Sequence, residues 1–307
     1  MLSSEQIDSF WQNGYLTVEN AVNSEQLRQL RTQLNSWVDE SRPHSTPFGP
    51  LTLDGRARFD MGQEHSPEQP ALRRVNNPSD ISKDYFAVMS DAATVDMVCD
   101  LIGPHVKFHH CKINLKLPGS NTEVGYHQDF GYTPHTNDDV VTALLMLDDM
   151  TADNGCLNVV PGSHTGPVHS LFNDTTFVGV VENSVTQRLQ PQEVPIYGDA
   201  GSVCLMHTRL VHGSAPNHSP QSRALYICVY SAADAFPLAK SPMANPNEGI
   251  IVRGEKTRTA RLSESQVELP EQPTSASFFT VIGQASKDTT PKSVPPSQHS
   301  LSSTQAR

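Results

Sequence analysis

Apolar residues in the first hundred positions recur at helical spacing. A helix is predicted from about residue 24, because apolar side chains fall three or four positions apart there. These apolar residues are Leu27, Leu30, Leu34 and Val38. A shorter helix before Gly14 and a longer one over 80–101, ended by Gly103, are predicted on either side of it. The N-terminal third is therefore predicted to be mainly helical, with a short strand over 15–18.

After residue 105 the pattern changes to short strands in which polar and apolar residues alternate. The clearest strand, 107–117, places one polar and one mostly apolar face on opposite sides of a sheet. The polar face carries His110, Lys112, Asn114 and Lys116. The other face carries His109, Cys111, Ile113, Leu115 and Leu117. Further strands are predicted over 140–147, 203–206 and 224–230.

Many short strands separated by turn residues are typical of a double-stranded β-helix, the jelly-roll or cupin-like barrel. The predicted fold is therefore α+β with a mainly β core, and with helices packed on one face, mostly from the N-terminal region. One domain is expected over 1–283. Within it, 42–75 has no periodicity and is predicted to be irregular, and 235–283 keeps some apolar residues and is a candidate cover or subunit contact. The polar tail 284–307 is expected to be disordered, because it has too few apolar residues to offset the entropy of ordering.

Composition and charge exclude several classes of protein. A formal charge of −11 argues against nucleic acid as a partner. No apolar run approaches the length of a membrane span, and the first residues do not resemble a secretory signal. The five cysteines form no CxxC pair and are odd in number, as expected for reduced thiols. A cytoplasmic protein, monomeric or homodimeric, is therefore expected.

The candidate chemistry centres on His127 and Asp129. Side chains two positions apart on an extended segment share a face, and His212 would supply a second imidazole from far along the chain. Two imidazoles and one carboxylate form the facial triad of non-haem Fe(II) oxygenases. Arg223 follows on the strand that returns after His212. Its planar guanidinium suits a bidentate grip on a carboxylate, such as that of 2-oxoglutarate.

Over residues 5–235 the chain resembles the phytanoyl-CoA dioxygenase superfamily of Fe(II)/2-oxoglutarate-dependent oxygenases. The matching motifs are Phe10-Trp11-Gln12-Asn13-Gly14-Tyr15, Lys116-Leu117-Pro118-Gly119, the His127-Gln128-Asp129 run, Asp153-Asn154-Gly155-Cys156-Leu157, Val160-Pro161-Gly162-Ser163-His164 and His212-Gly213-Ser214 with Asn217, Ser219 and Arg223. The resemblance implies a hydroxylase that uses Fe(II), 2-oxoglutarate and O2, with ascorbate as reductant in vitro, and that releases succinate and CO2. Halogenases of this kind lack the carboxylate ligand, so Asp129 favours hydroxylation or desaturation.

The resemblance also implies that 42–75 is a candidate lid over the active site. Together with the positions of polar and charged residues, it indicates roles for side chains around the metal. Candidates for contact with 2-oxoglutarate, besides Arg223, are Thr142, His110, Lys112 and Ser214. Candidates for catalysis or substrate contact are Asn114, Arg209 and Arg74. The expected substrate is a small polar molecule, such as an amino-acid derivative or a natural-product intermediate. The positive groups would suit a carboxylate or a phosphonate.

Three other interpretations remain open at this stage. A catalytically silent sensor that keeps the metal and 2-oxoglutarate would need the same residues. A cupin-like isomerase or hydrolase would be expected to use three or four His ligands and no arginine clamp. The pair His109-His110 offers a competing metal site, but it has no carboxylate at a useful spacing.

Overall fold

The computed structural model describes residues 1–270. Within this range the α-helices are α1 (Ser4–Asn13), α2 (Ser24–Ser41), α3 (Lys83–Asp91), α4 (Ala93–Ile102) and α5 (Asn183–Leu189). The first helix begins at a capping box, in which Ser3 and Gln6 satisfy each other's backbone N–H groups. It ends at Gly14, whose positive φ of 82° suits a residue without a side chain. Both N-terminal helices lie where the apolar spacing predicts them.

The strands form two larger antiparallel sheets and a small hairpin. They are β1 (Tyr15–Val18), β2 (Phe59–Met61), β3 (Leu72–Asn76), β4 (Val106–Lys116), β5 (Val124–His127), β6 (Val140–Met146), β7 (Leu157–Val159), β8 (Phe172–Asn173), β9 (Thr176–Phe177), β10 (Val194–Ile196), β11 (Val203–His207), β12 (His212–Ser214), β13 (Arg223–Ala232) and β14 (Ile251–Arg253). The main sheet has the order β1-β11-β6-β13-β4-β3-β2, and β14 also pairs with β4. The second sheet has the order β10-β7-β12-β5, and β8 pairs with β9.

The two faces of the main sheet pack against different partners. One core cluster joins apolar residues of α1 to α4 with one face of β4, β6 and β13. A second cluster joins the opposite face of β6, β11 and β13 with residues of β7 in the second sheet. This division follows the period-2 alternation of the strands. It confirms the prediction of a mainly β core of antiparallel sheets with helices packed on one face.

The single helix predicted over 80–101 is wrong, because the chain is broken into α3 and α4. Ala92 has an extended backbone, with φ −77° and ψ 162°, and it is buried. The apolar spacing runs through the break because both helices bury residues in the same cluster. Alanine carries no signal for a helix end, so the sequence pattern does not reveal the interruption.

The prediction that 42–75 is irregular is wrong for two stretches. The strands β2 and β3 extend the edge of the main sheet beside β4. Arg58 lies just before β2 and forms a buried ion pair with Asp80, with Nη1 to Oδ2 at 2.9 Å. These strands are too short, and β3 too rich in arginine, to show alternation. The rest of the segment has no regular helix or strand.

A β-bulge changes the face that His109 occupies. Val229 of β13 pairs with His110, but the next residue, Tyr230, pairs with Phe108. His109 is therefore the extra residue of β4. Both imidazoles are buried, and their Nδ1 atoms lie 2.5 Å apart. The prediction that His109 lies on the face of Cys111 is wrong, because one inserted residue shifts the alternation.

The C-terminal part of the described chain is tied to the main sheet through β14. The predicted cover, 235–283, is described only as far as residue 270, and the predicted disordered tail, 284–307, lies outside the described residues. Within residues 1–270, no helix has both the length and the apolar character that a membrane crossing requires.

Candidate metal centre

Three predicted metal ligands converge at the ends of two paired strands. His127 is the last residue of β5 and pairs directly with His212, the first residue of β12. Asp129 follows two positions later and opens a short 3-10 turn. Its Oδ1 atom lies 3.7 Å from the Nε2 atom of His127 and 3.8 Å from that of His212. The ligand atoms of all three residues lie within 4.8 Å of one another.

Backbone contacts aim both imidazoles at this point. The Nδ1 atom of His127 lies 2.8 Å from the carbonyl of Gly125, and that of His212 lies 2.9 Å from the carbonyl of Leu210. A carbonyl only accepts hydrogen bonds, so each Nδ1 carries a proton and each Nε2 is the nitrogen available to bind a metal. Burial, with the neighbouring His212, lowers the pKa of His127 to about 3. His127 is therefore neutral at physiological pH, as a metal ligand must be.

Asp129 is held as a carboxylate. Burial by itself would raise its pKa, but the neighbouring His212 and Lys112 act in the opposite direction. Thr142 adds a hydrogen bond from its hydroxyl to Oδ2 at 2.7 Å. The net effect is a pKa below the ordinary value for aspartate. Two imidazoles and one carboxylate fit a ferrous ion in donor type.

A cavity leads from the triad to two buried cations. Arg223 and Lys116 face each other across the pairing of β13 with β4, and both line the cavity. Nζ of Lys116 donates to Ser214 Oγ at 2.7 Å and to the Ala215 carbonyl, while Nε of Arg223 donates to the Gly155 carbonyl at 3.0 Å.

These two cations lack a carboxylate partner within the described chain. Among residues 1–270, neither Lys116 nor Arg223 forms an ion pair with Asp or Glu. Burial lowers the pKa of Arg223 to about 10 and holds that of Lys116 well below its usual range. A buried cation is costly unless an anion or hydrogen bonds compensate it. This end of the cavity therefore fits the carboxylate of an anionic co-substrate.

Another part of the wall carries polar groups from β3 and β4. Lys112 and Asn114 line the cavity, and Nε of Arg74 donates to Asn114 Oδ1 at 3.1 Å. Burial is the main cause that lowers the pKa of Lys112 to about 8 and that of Arg74 to about 10. The structure therefore brings Lys112, Asn114, Thr142 and Ser214 to the cavity of the triad, with Arg74 bound to Asn114.

Two predicted site residues are engaged elsewhere. The guanidinium of Arg209 pairs with Asp138 at 3.1 Å and with Glu264 at 3.0 Å. His110 is fully buried against His109, and neither His110 nor Arg209 lines the cavity. Arg209 stands only three residues before His212 in sequence, but this proximity does not turn its side chain toward the ligands. The acidic partners on other segments hold it instead.

Lys116 is a charged residue of the cavity to which the resemblance assigns no role. The alternation of β4 places it on the polar face with Lys112 and Asn114, so the signal for its position was present. What the sequence could not show was its pairing with Arg223, because that depends on the register between two strands more than a hundred residues apart.

Comparison with known proteins gives concordant matches. The family model described as Phytanoyl-CoA dioxygenase (PhyH) matches residues 10–225. A probable alpha-ketoglutarate-dependent hypophosphite dioxygenase of Stutzerimonas stutzeri is 30% identical over 271 residues, which cover 87% of this chain and 92% of that protein. The L-proline trans-4-hydroxylase of Streptomyces griseoviridis is 24% identical, covering 74% of this chain and 86% of that protein.

Solved structures share the fold. EctD from S. alaskensis, crystallised with 2-oxoglutarate and 5-hydroxyectoine, superposes with a TM-score of 0.65 at 23% identity and covers 83% of this chain and 88% of that one. The carbocyclase SnoK from nogalamycin biosynthesis gives a TM-score of 0.61 at 19% identity, over 83% of this chain and 94% of that one. Both are described as binding or depending on 2-oxoglutarate.

Proposed function

The chain belongs to the phytanoyl-CoA dioxygenase family, and on this premise we propose that it hydroxylates an unactivated C–H bond of a small molecule. It is a 2-oxoglutarate-dependent dioxygenase whose cofactors are Fe(II) and 2-oxoglutarate. The observation that carries the proposal is the convergence of two imidazole Nε2 atoms and one carboxylate within 4.8 Å. We also propose that the two larger sheets are the halves of a double-stranded β-helix, as in the jelly-roll barrels of such enzymes.

Each side chain has a defined task in this proposal. His127, Asp129 and His212 hold Fe(II), and Thr142 fixes the orientation of the carboxylate through its hydrogen bond. Arg223 binds the far carboxylate of 2-oxoglutarate, and Lys116 adds a second positive charge beside it. When bound, Fe(II) would supply the oxidising chemistry together with 2-oxoglutarate and O2, and 2-oxoglutarate would be converted to succinate and CO2. The protein positions the reactants and excludes water.

We propose a small anion as the substrate. Lys112 lines the cavity near Asp129, and Arg74 is bound to Asn114 on the same wall. The lining residues include three cations, Lys112, Lys116 and Arg223, but only one carboxylate, Asp129. Iron adds two positive charges, and 2-oxoglutarate offsets two. A positive excess therefore remains to bind a carboxylate or a phosphorus oxyanion. The relatives named for hypophosphite, which is a phosphorus oxyanion, and for proline, which carries a carboxylate, support a substrate with one of these groups.

Release of succinate tests the reaction and separates an enzyme from a sensor. Purified protein is incubated with Fe(II), ascorbate and 2-oxoglutarate, with and without a pool of small metabolites. We expect succinate release that Asp129→Ala abolishes and that Asp153→Ala, on an exposed turn, leaves intact. A protein that binds iron and 2-oxoglutarate but releases no succinate with any pool would be a sensor.

Mass spectrometry of the same incubations tests the class of substrate. The expected product is a small anion that has gained one oxygen. Loss of two hydrogens instead would indicate desaturation on the same site. Products drawn only from molecules without a carboxylate or a phosphorus oxyanion would contradict the proposed class of substrate while leaving the dioxygenase assignment in place.

A further inference from the structure

A second cavity of about 540 Å³ lies beside the first half of β4. Its walls come from β4, the end of β13, the turn at Phe236 and Pro237, and the segment 248–257. None of its lining residues lines the cavity of the triad. Its volume is within the roughly 300–1,000 Å³ of small-molecule sites. The family assignment gives this cavity no role.

Two buried polar atoms of this cavity lack hydrogen-bond partners. They are the Oγ atom of Ser231 and the Nε2 atom of His109, and no group among residues 1–270 bonds to either. Ser231 has no exposed surface, and His109 is 3% exposed. Buried polar atoms are nearly always satisfied in folded proteins. Both residues line the cavity, so a molecule bound there is available as their partner.

The bulge in β4 is what directs His109 to this cavity. Without the extra residue, the alternation from Cys111 would place His109 on the face that packs against the helices, and Phe108 would leave that face. Bulges recur where a side chain must be re-aimed toward a site. Here the extra residue of the bulge is His109 itself, and its imidazole lies among the polar groups of the cavity.

The charges of the cavity favour a ligand with one negative charge. Lys107 and Lys256 supply two cations, and Glu248 supplies one carboxylate. His109 is neutral, because burial lowers its pKa to about 3. Nζ of Lys107 donates to the Ala233 carbonyl at 3.1 Å, which leaves two of its three N–H donors for a ligand.

Apolar groups line the remainder of the wall. The Lys107 ammonium lies 4.0 Å above the ring of Phe236, so the cation marks one end of an apolar surface that continues through Pro237 and Ile251. Oε1 of Glu248 lies 3.7 Å from the Nε2 atom of His109, which is longer than a hydrogen bond. A molecule with one charged head and a short apolar body matches this distribution.

We propose that this cavity is a second binding site, for a small organic monocarboxylate. The carboxylate accepts hydrogen bonds from Lys107 Nζ and Ser231 Oγ, and the apolar body packs against Phe236 and Ile251. His109 Nε2 contacts the bound molecule beside the carboxylate. The site is separate from the metal centre, and it requires no iron.

Calorimetric titration with 3-phenylpropionate tests the site, with 3-phenylpropionamide as the neutral counterpart. The full-length protein is titrated with Fe(II) and saturating 2-oxoglutarate present without oxygen, so that the metal cavity is already filled. We expect one saturable event for the acid and at least tenfold weaker binding for the amide. Lys107→Met is expected to weaken binding of the acid at least tenfold, and Ser231→Ala about threefold or more. The exposed Lys240→Met is the matched control and is expected to change nothing.

Ser231→Ala also separates a ligand site from a structural role. Because the hydroxyl has no partner among residues 1–270, its removal is expected to leave the thermal midpoint unchanged or higher. Arg223→Met is expected to weaken binding of 2-oxoglutarate but not that of 3-phenylpropionate. The proposal is overturned if the acid does not bind, if the amide binds equally well, or if Lys107→Met and Ser231→Ala leave binding unchanged. Each of these results is compatible with an active dioxygenase, so the proposed function is judged separately.

Discussion

At the scale of single residues, we expect the hydroxyl of Thr142 to fix the orientation of the Asp129 carboxylate. Its hydroxyl donates to Asp129 Oδ2 at 2.7 Å, while Oδ1 faces the two imidazoles. Thr142→Val keeps the shape of the side chain but removes the donor. Loss of such an outer contact typically costs about 10–100-fold in metal affinity or activity, and we expect a loss of this size in anaerobic Fe(II) titrations. Thr142→Ser, which keeps the hydroxyl, should bind Fe(II) nearly as well as the native chain. Equal affinity in all three proteins would contradict the role.

Lys116 and Arg223 are the paired cations that we expect to hold 2-oxoglutarate. Lys116→Met replaces a buried ammonium with a side chain of similar length and no charge. The concentration of 2-oxoglutarate that gives half-maximal succinate release should rise at least tenfold, because the dianion loses one of two neighbouring positive charges. Lys83→Met, on the exposed side of α3, is the control. An unchanged requirement for 2-oxoglutarate in Lys116→Met would show that Arg223 acts without it.

The candidate metal ligands can be predicted from the sequence because their residue types, spacing and order identify them. His127 and Asp129 are two positions apart, and His212 and then Arg223 follow in order. The candidate metal ligands and the candidate arginine clamp can therefore be recognised in the sequence. The direction of the Arg209 side chain, in contrast, cannot be predicted from sequence. Its ion pairs with Asp138 and Glu264 join segments that are distant in sequence, and no spacing rule reports such contacts.

At the scale of elements, the corner between α1 and β1 depends on a glycine that no other residue can replace without strain. Gly14 has φ 82°, and a Cβ atom there would lie 2.5 Å from His164 Nδ1 and 2.7 Å from Leu210 Cδ1. Gly14→Ala combines the left-handed backbone cost of about 1–2 kcal/mol with an overpacking cost of about 1–3 kcal/mol. Urea denaturation should show this loss in the free energy of unfolding. Gly55→Ala is the control, because Gly55 has φ 78° but nothing within 4 Å of the added Cβ. Equal losses in the two variants would contradict the packing argument.

The elements divide into those that the sequence predicts and those that it cannot. The helix α2 and the strands β4 and β6 bury one face each, so their periodicity is strong and their positions were predictable. The break at Ala92 and the bulge at His109 each involve a single residue, and the segments around them keep their apolar pattern. The strand β3 forms because β4 offers it an open edge, with Arg74 opposite Asn114. That partner is forty residues away, so local composition does not predict the strand.

At the scale of the whole molecule, the candidate metal centre and the proposed co-substrate site lie on different sheets. His127 and His212 belong to β5 and β12 of the second sheet, whereas Lys116 and Arg223 belong to β4 and β13 of the main sheet. A molecule bound both to iron and to Arg223 therefore links the two sheets. Ligand binding should stabilise the fold as a unit, because unfolding separates the sheets and destroys both sites.

Thermal unfolding measures this linkage. A ligand at a hundred times its dissociation constant stabilises the native state by about 2.7 kcal/mol, which corresponds to a rise of roughly 5–10 °C in the thermal midpoint of a domain near this size. Under anaerobic conditions we expect Fe(II) alone to raise the midpoint, and 2-oxoglutarate to raise it further once Fe(II) is present. Asp129→Ala should abolish the response to iron, while Arg223→Met should keep that response and lose most of the second rise. If 2-oxoglutarate stabilises the native chain equally with and without iron, the two sites bind independently and one molecule does not link the sheets.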